Sequence, residues 1–127
     1  MPTFICSFER AGVRYYFDYC TIKDAPLTCA MKRREYERYH FDRHGPGWAN
    51  VLAADLARAV ETGTSDPFAR DLRATIACNR AGAAEKRLGV QKLCDLVLSR
   101  RDGDPRCKPS RAKRRSAATN DPRSLDE

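Results

Sequence analysis

Two runs of β-favouring residues, Phe4-Ile5-Cys6-Ser7-Phe8 and Val13 to Cys20, flank a turn containing Gly12, and they limit the fold more than any other feature of the chain. They read as an antiparallel hairpin. Strict alternation puts Val13, Tyr15, Phe17 and Tyr19 on one face and Arg14, Tyr16, Asp18 and Cys20 on the other. One face is therefore expected to pack on helices and the other to be partly wet. A two-stranded ribbon alone is marginal in water, so the remaining chain must cover it.

The covering elements read as four helices. The first runs from about Met31 to His44 and stops at Gly45, with Tyr36 and Tyr39 on its inner face and Arg34, Arg38 and Asp42 outside. The second, about Trp48 to Thr62, carries Trp48, Leu52, Leu56, Ala59 and Val60 on one stripe and ends at Gly63. A third is expected from a Ser65 or Asp66 cap and Pro67, with Phe68, Leu72 and Ile76 one turn apart, closing at Asn79-Arg80-Ala81-Gly82. The last, about Gly89 to Arg101, buries Val90, Leu93, Cys94 and Val97. The expected order is ββαααα: an α+β chain with its N-terminal antiparallel hairpin packed on a small helical bundle.

Composition changes once, near Asp102. From Asp104 onward the only large apolar side chain is Leu125, and Pro105, Pro109 and Pro122 interrupt any helix. The 127 residues thus divide into one compact α+β domain, 1–103, and a flexible basic tail, 104–127. The chain carries 24 Lys and Arg against 17 Asp and Glu, a balance of +7 that favours anionic partners. Within the tail, Arg106, Lys108, Arg111, Lys113, Arg114 and Arg115 occupy a ten-residue stretch without an acid. Such a stretch suits phosphate contacts that do not depend on base sequence, and Tyr15, Tyr16 and Tyr19 would add stacking surfaces if their strand faced solvent.

Neither a signal-type apolar run near Met1 to Gly12 nor any stretch approaching the ~20 apolar residues of a membrane helix is present. The expectation is a protein of the host-cell cytosol, without membrane contact, whose six cysteines stay reduced. Cys20, Cys29, His40 and His44 invite a zinc reading, since the histidines are four apart on one helix face. Their spacing opposes it: eight residues including Pro26 separate the two cysteines, where a ββα finger has two to four. No metal and no cofactor are expected.

A nucleophile elbow, a phosphate loop, a dinucleotide glycine fingerprint and a His-Glu-x-x-His helix are all missing from the sequence. Asp18, Asp24, Glu35 and Asp55 read as solvating carboxylates, and no spacing among them demands acid–base work. The chain reads as a non-enzyme for which a small-molecule substrate is not expected. Asn79 falls on an apolar stripe, where its amide should tie its helix to a neighbouring backbone. Should Asn79, Arg80 and the Asp24 loop instead cluster at the surface, they would form a contact patch.

Three strings, Asp24-Ala25-Pro26-Leu27-Thr28 ahead of a Tyr-rich helix, Thr62-Gly63-Thr64-Ser65, and Asn79-Arg80-Ala81-Gly82 followed by Glu85 and Leu88, together resemble small proteins encoded by tailed bacteriophages and prophages. The likeness spans about residues 13 to 100. It departs at Lys32, where a capping Thr or Ser would be expected, and throughout the tail. It brings no catalytic residues with it. What it implies is a phage or mobile-element setting and a protein that docks on a nucleoprotein or host-defence complex as inhibitor or adaptor. The alternative is a minor structural or assembly protein of the virion, and a small metal-dependent enzyme is the distant third. On the docking reading, Arg34, Arg38 and the tail cations carry the contact.

Overall fold

The computed structural model describes residues 3–107. Strand β1, Thr3–Arg10, pairs antiparallel with β2, Val13–Cys20, in a register that runs from Thr3 opposite Cys20 to Arg10 opposite Val13. This leaves a two-residue turn, Ala11-Gly12, with φ of 55° and 78°. Positive φ at both positions is the geometry whose twist matches that of paired strands. A short third strand, β3 (Ala25–Pro26), joins the free edge of β2.

The chain is α+β, as its sequence pattern predicts, but both faces of the sheet are covered. On one face Ile5 and Tyr16 pack with Tyr36 and Tyr39 of helix α1 (Arg33–His44) and with Leu52, Leu56 and Ala59 of α2 (Ala49–Thr62). On the other, Cys6, Phe8, Phe17 and Tyr19 pack with Ile76 and with Leu93, Cys94 and Val97 of α4 (Val90–Ser99). The face expected to be partly wet is closed by α1 and α2, and Tyr16, Asp18 and Cys20 are buried in it. The hairpin's other aromatics lie on the opposite face, but Ile5 and Tyr16 here meet the apolar stripes of α1 and α2, whose burial keeps this side out of water as well.

The edges are closed as well. Beyond β1 the chain at 63–65 runs alongside the strand: Ser7 N donates to Gly63 O at 2.9 Å and Ser65 N to Ile5 O at 2.8 Å. Ser65 Oγ accepts from Ile5 N at 2.9 Å. Beyond β2, Met31 and Tyr16 exchange both backbone bonds. Open strand edges invite pairing with other chains, and these segments occupy them.

This use of Thr64 and Ser65 corrects the expected third helix. Gly63 does stop α2, in the left-handed conformation at φ 95°. The chain then serves the sheet edge, and the only α-helix between α2 and α4 is one turn, α3 (Leu72–Thr75), capped by Asp71 Oδ1 on Ala74 N. Phe68, expected on an inner stripe, is 94% exposed, and Trp48 and Val60 are also exposed. The helix cannot run on to residue 79 because Asn79 turns its amide on the backbone. Its Nδ2 donates to Ile76 O and Leu88 O, while its Oδ1 accepts from Leu88 N and Ala81 N.

Helix α1 begins without a hydroxyl cap at Lys32. Glu35 substitutes, accepting Lys32 N–H at 2.7 Å and pairing with Arg101 across the domain at 2.7 Å. Packing also outlasts the expected boundary at residue 103: Pro105–Cys107 forms a 3-10 turn, and Cys107 lies in the core beside Cys29. No helix among the described residues is long and apolar enough to cross a membrane.

Candidate functional site

Two concavities carry the polar chemistry, one on each side of Tyr39. The first, of about 320 Å3, lies between the end of the sheet and helices α1 and α2, and is lined by Asp18, Tyr36, His40, His44, Trp48, Asp55 and Arg58 among others. Asp18 is a β2 residue, 8% exposed, whose carboxylate accepts from Tyr36 Oη at 2.5 Å and from Tyr39 Oη at 3.0 Å. Burial raises its pKa above the ordinary carboxylate range, and the two phenols, with Arg43 and His40, pull it partly back. Burial and His44 together lower the pKa of His40. The phenols respond in the opposite sense: burial and the facing carboxylate push Tyr39 up to about 12. Asp55 is paired with Arg58, which also donates to Ser65 O at 3.0 Å. Asp18 is thus used on two phenols and Asp55 on Arg58.

The second concavity is a groove of about 990 Å3 between the loop after β2, the C-terminal end of α1 and the turn after α4. Lys23, Arg43 and Arg100 line it, with Cys29, Tyr39 and Asp104. Arg43 Nη1 donates to Tyr39 Oη at 3.1 Å, and Arg100 Nη1 to Pro26 O at 2.9 Å. Those acceptors are neutral. Six other arginines, at 10, 14, 33, 58, 80 and 101, sit within ion-pair distance of a carboxylate. Among the described residues no carboxylate stands within that distance of Lys23, Arg43 or Arg100; Asp18 acts on Arg43 only at longer range, through Tyr39, and Asp104 is the carboxylate in the groove lining.

The residues singled out by sequence fall as follows. Arg34 and Arg38 are exposed on α1, on the side away from Tyr36 and Tyr39. Arg106 lies in the 3-10 turn at 105–107, whereas Lys108, Arg111, Lys113, Arg114 and Arg115 lie outside the described residues. Arg80 N–H donates to Asp24 O at 2.7 Å, so those two segments do meet, and the Arg80 side chain pairs with Glu85. Asn79 is not part of a surface patch: it is 1% exposed, with its amide used by the Leu88 loop. Tyr16 and Tyr19 are buried and offer no stacking platform, and Tyr15 is half-covered, its ring beneath the Arg101 guanidinium.

The zinc quartet is not assembled. His40 and His44 lie against each other with ring centroids 4.5 Å apart, next to Trp48. Cys29 instead meets Cys107, Sγ to Sγ 2.8 Å, with Asp104 Oδ2 3.3 Å from Cys29 Sγ. These three are, among the described residues, the group whose potential metal-ligand atoms lie within 4.8 Å of one another. Sequence reasoning missed Cys107 because it was counted with the tail. It also passed over Arg43, for which the Tyr36, Tyr39, Arg43 spacing on α1 gave a signal, and Lys23, for which the loop after β2 gave none. No protein-family model, curated protein or solved structure matches the chain.

Proposed function

We propose that this protein is a non-enzymatic binding protein that docks on the phosphate backbone of a nucleoprotein complex, using the groove cations Lys23, Arg43 and Arg100 together with the basic stretch from Arg106 to Arg115. The observation that carries the proposal is the groove itself. Arg43 and Arg100 hydrogen-bond neutral acceptors and, among the described residues, no carboxylate lies within ion-pair distance of them or of Lys23, while six arginines elsewhere are paired with carboxylates. The acid-free stretch begins immediately after Asp104 and Pro105, which line the same groove. Cations held in a concave wall attract a polyanion without base preference, since phosphate contacts position and do not specify.

Likeness to phage-encoded proteins supports a viral or host complex, including a defence complex, as the partner. The measurement that tests the proposal is binding of a fluorescent DNA duplex over a range of salt concentrations. Each phosphate neutralised should contribute about 0.9 to the slope of log affinity against log salt. A slope between about −4 and −8 is expected, with little difference between duplex sequences. Binding that ignores salt, or no binding at low salt, would overturn the proposal.

A further inference from the structure

Cys29 and Cys107 are 78 positions apart in sequence, yet their sulfurs are 2.8 Å apart, with Asp104 against Cys29. Tetrahedral coordination of zinc at about 2.3 Å would hold two thiolates well over 3 Å apart, and among the described residues this site offers one further ligand, Asp104. Direct sulfur contact suits a covalent bond between the two better than a shared ion. We propose that Cys29 and Cys107 are a reversible disulfide pair, oxidised by a low-molecular-weight disulfide of the glutathione class, and that Asp104 takes up the proton of Cys29.

The geometry assigns an order to the two thiols. Burial raises both pKa values. Cys29 lines the groove and lies against Asp104, whereas Cys107 is seated behind it, so an external disulfide meets Cys29 first. Cys29 passes its proton to the Asp104 carboxylate as its sulfur attacks one sulfur of oxidised glutathione, the glutathione S–S bond breaks, and one glutathione leaves and recovers that proton. The Cys107 sulfur then attacks the Cys29 sulfur of the mixed disulfide. The second glutathione leaves and takes up the proton that Cys107 lost. Two protein thiols are oxidised and one glutathione disulfide is reduced to two thiols.

Three features prepare the pair. Arg101 holds the segment in place through Glu35 and through Cys107 O at 3.4 Å. Cys29 and Asp104 both contribute to the groove wall, which gives a tripeptide disulfide a route in. The remaining cysteines differ: Cys6, Cys20 and Cys94 are buried, with Cys6 and Cys94 in the opposite core, and Cys78 is exposed. The bond would fix the start of the basic stretch against the groove. That consequence rests on the phosphate-binding proposal, but the bond itself does not.

The test is to incubate the full-length protein with excess oxidised glutathione, block free thiols with an alkylating agent and map the peptides by mass spectrometry. A Cys29–Cys107 cross-linked peptide is expected, reversed by dithiothreitol. The oxidised protein should melt roughly 10 °C or more above the reduced protein, because a long loop is closed. Asp104→Asn should slow cross-linking severalfold, because the first attack, by Cys29, loses its proton acceptor. Glutathione found on Cys78 alone, with Cys29 and Cys107 both alkylated, would overturn the proposal. So would one tightly held zinc per chain that protects both thiols until a chelator removes it. Since the wild-type protein gives the decisive peptide, poor folding of Cys29→Ser or Cys107→Ser would not obscure the result. A normal salt slope for duplex binding without a cross-link would count against this pair alone, and a cross-link without duplex binding would count against phosphate docking alone.

Discussion

The Asp18 cavity and the basic groove are linked by Tyr39, which donates to Asp18 and accepts from Arg43, and they dispose of charge in opposite ways. In the cavity a buried carboxylate is bonded to two phenols, and Asp55 is paired with Arg58. In the groove Arg43 meets a phenol and Arg100 two backbone carbonyls. Charge that is matched internally holds elements together, here β2 to α1. Charge that is only propped in position by neutral acceptors costs the fold little and stays available to an external anion. The difference divides the polar residues into those that build the domain and those proposed to serve a partner.

The largest expected effect lies on the building side. Asp18→Ala leaves the Tyr36 and Tyr39 hydroxyls buried without their acceptor and should destabilise the domain by about 3 kcal/mol in urea denaturation. Asp18→Asn keeps the shape and an acceptor while removing a charge that burial disfavours, so its cost should stay under about 1 kcal/mol. Should Asn prove as damaging as Ala, the cavity would depend on the charge itself, and its separation from the groove would fail.

Much of this architecture is legible in the sequence, and the failures have physical causes. The hairpin, α1, α2 and α4 follow from strict alternation and from helical spacing of Tyr36 with Tyr39, Leu52 with Leu56 and Leu93 with Val97. The third helix is not legible, because the expected cap Ser65 has its hydroxyl taken by Ile5 N at the edge of β1, and Asn79 competes with the helix it was expected to close. Alternation also could not tell that both faces are covered, since a polar Asp18 on a strand reads as solvent-facing until its two tyrosine partners are known. The groove draws on segments distant in sequence, at 23–29, 39–43 and 99–105, which no local pattern connects.

On the binding side, replacing Lys113, Arg114 and Arg115 with Ala should flatten the salt slope of duplex binding by up to about three units and weaken every sequence alike. The melting temperature should move by less than about 2 °C, within the small range of surface substitutions. An altered sequence preference would mean base readout, which isolated phosphate contacts cannot give.

A smaller effect sharpens the contrast through pH. Because the native pKa of Asp18 is raised, the folded protein holds that proton more tightly than the unfolded chain, whose carboxylate titrates near 4. The contribution of this group to stability is therefore fully present below about pH 4 and is lost as pH rises through the raised native value. Comparing wild type with Asp18→Asn by urea denaturation from about pH 4 to pH 7 should show the wild type losing stability relative to the variant as pH rises. The opposite slope would mean that the two phenols outweigh burial.

The most direct measurement compares two double variants in the salt dependence of duplex binding. Lys23→Ala with Arg43→Gln removes two groove charges while leaving a donor for Tyr39, and Arg34→Ala with Arg38→Ala removes two from the exposed side of α1. The groove variant should lower the slope by about 1.8 units, two phosphates at about 0.9 each, and the α1 variant by less than about half a unit. If the α1 variant abolishes binding while the groove variant leaves slope and affinity unchanged, the groove is not the phosphate site and the account of its unpaired cations is wrong.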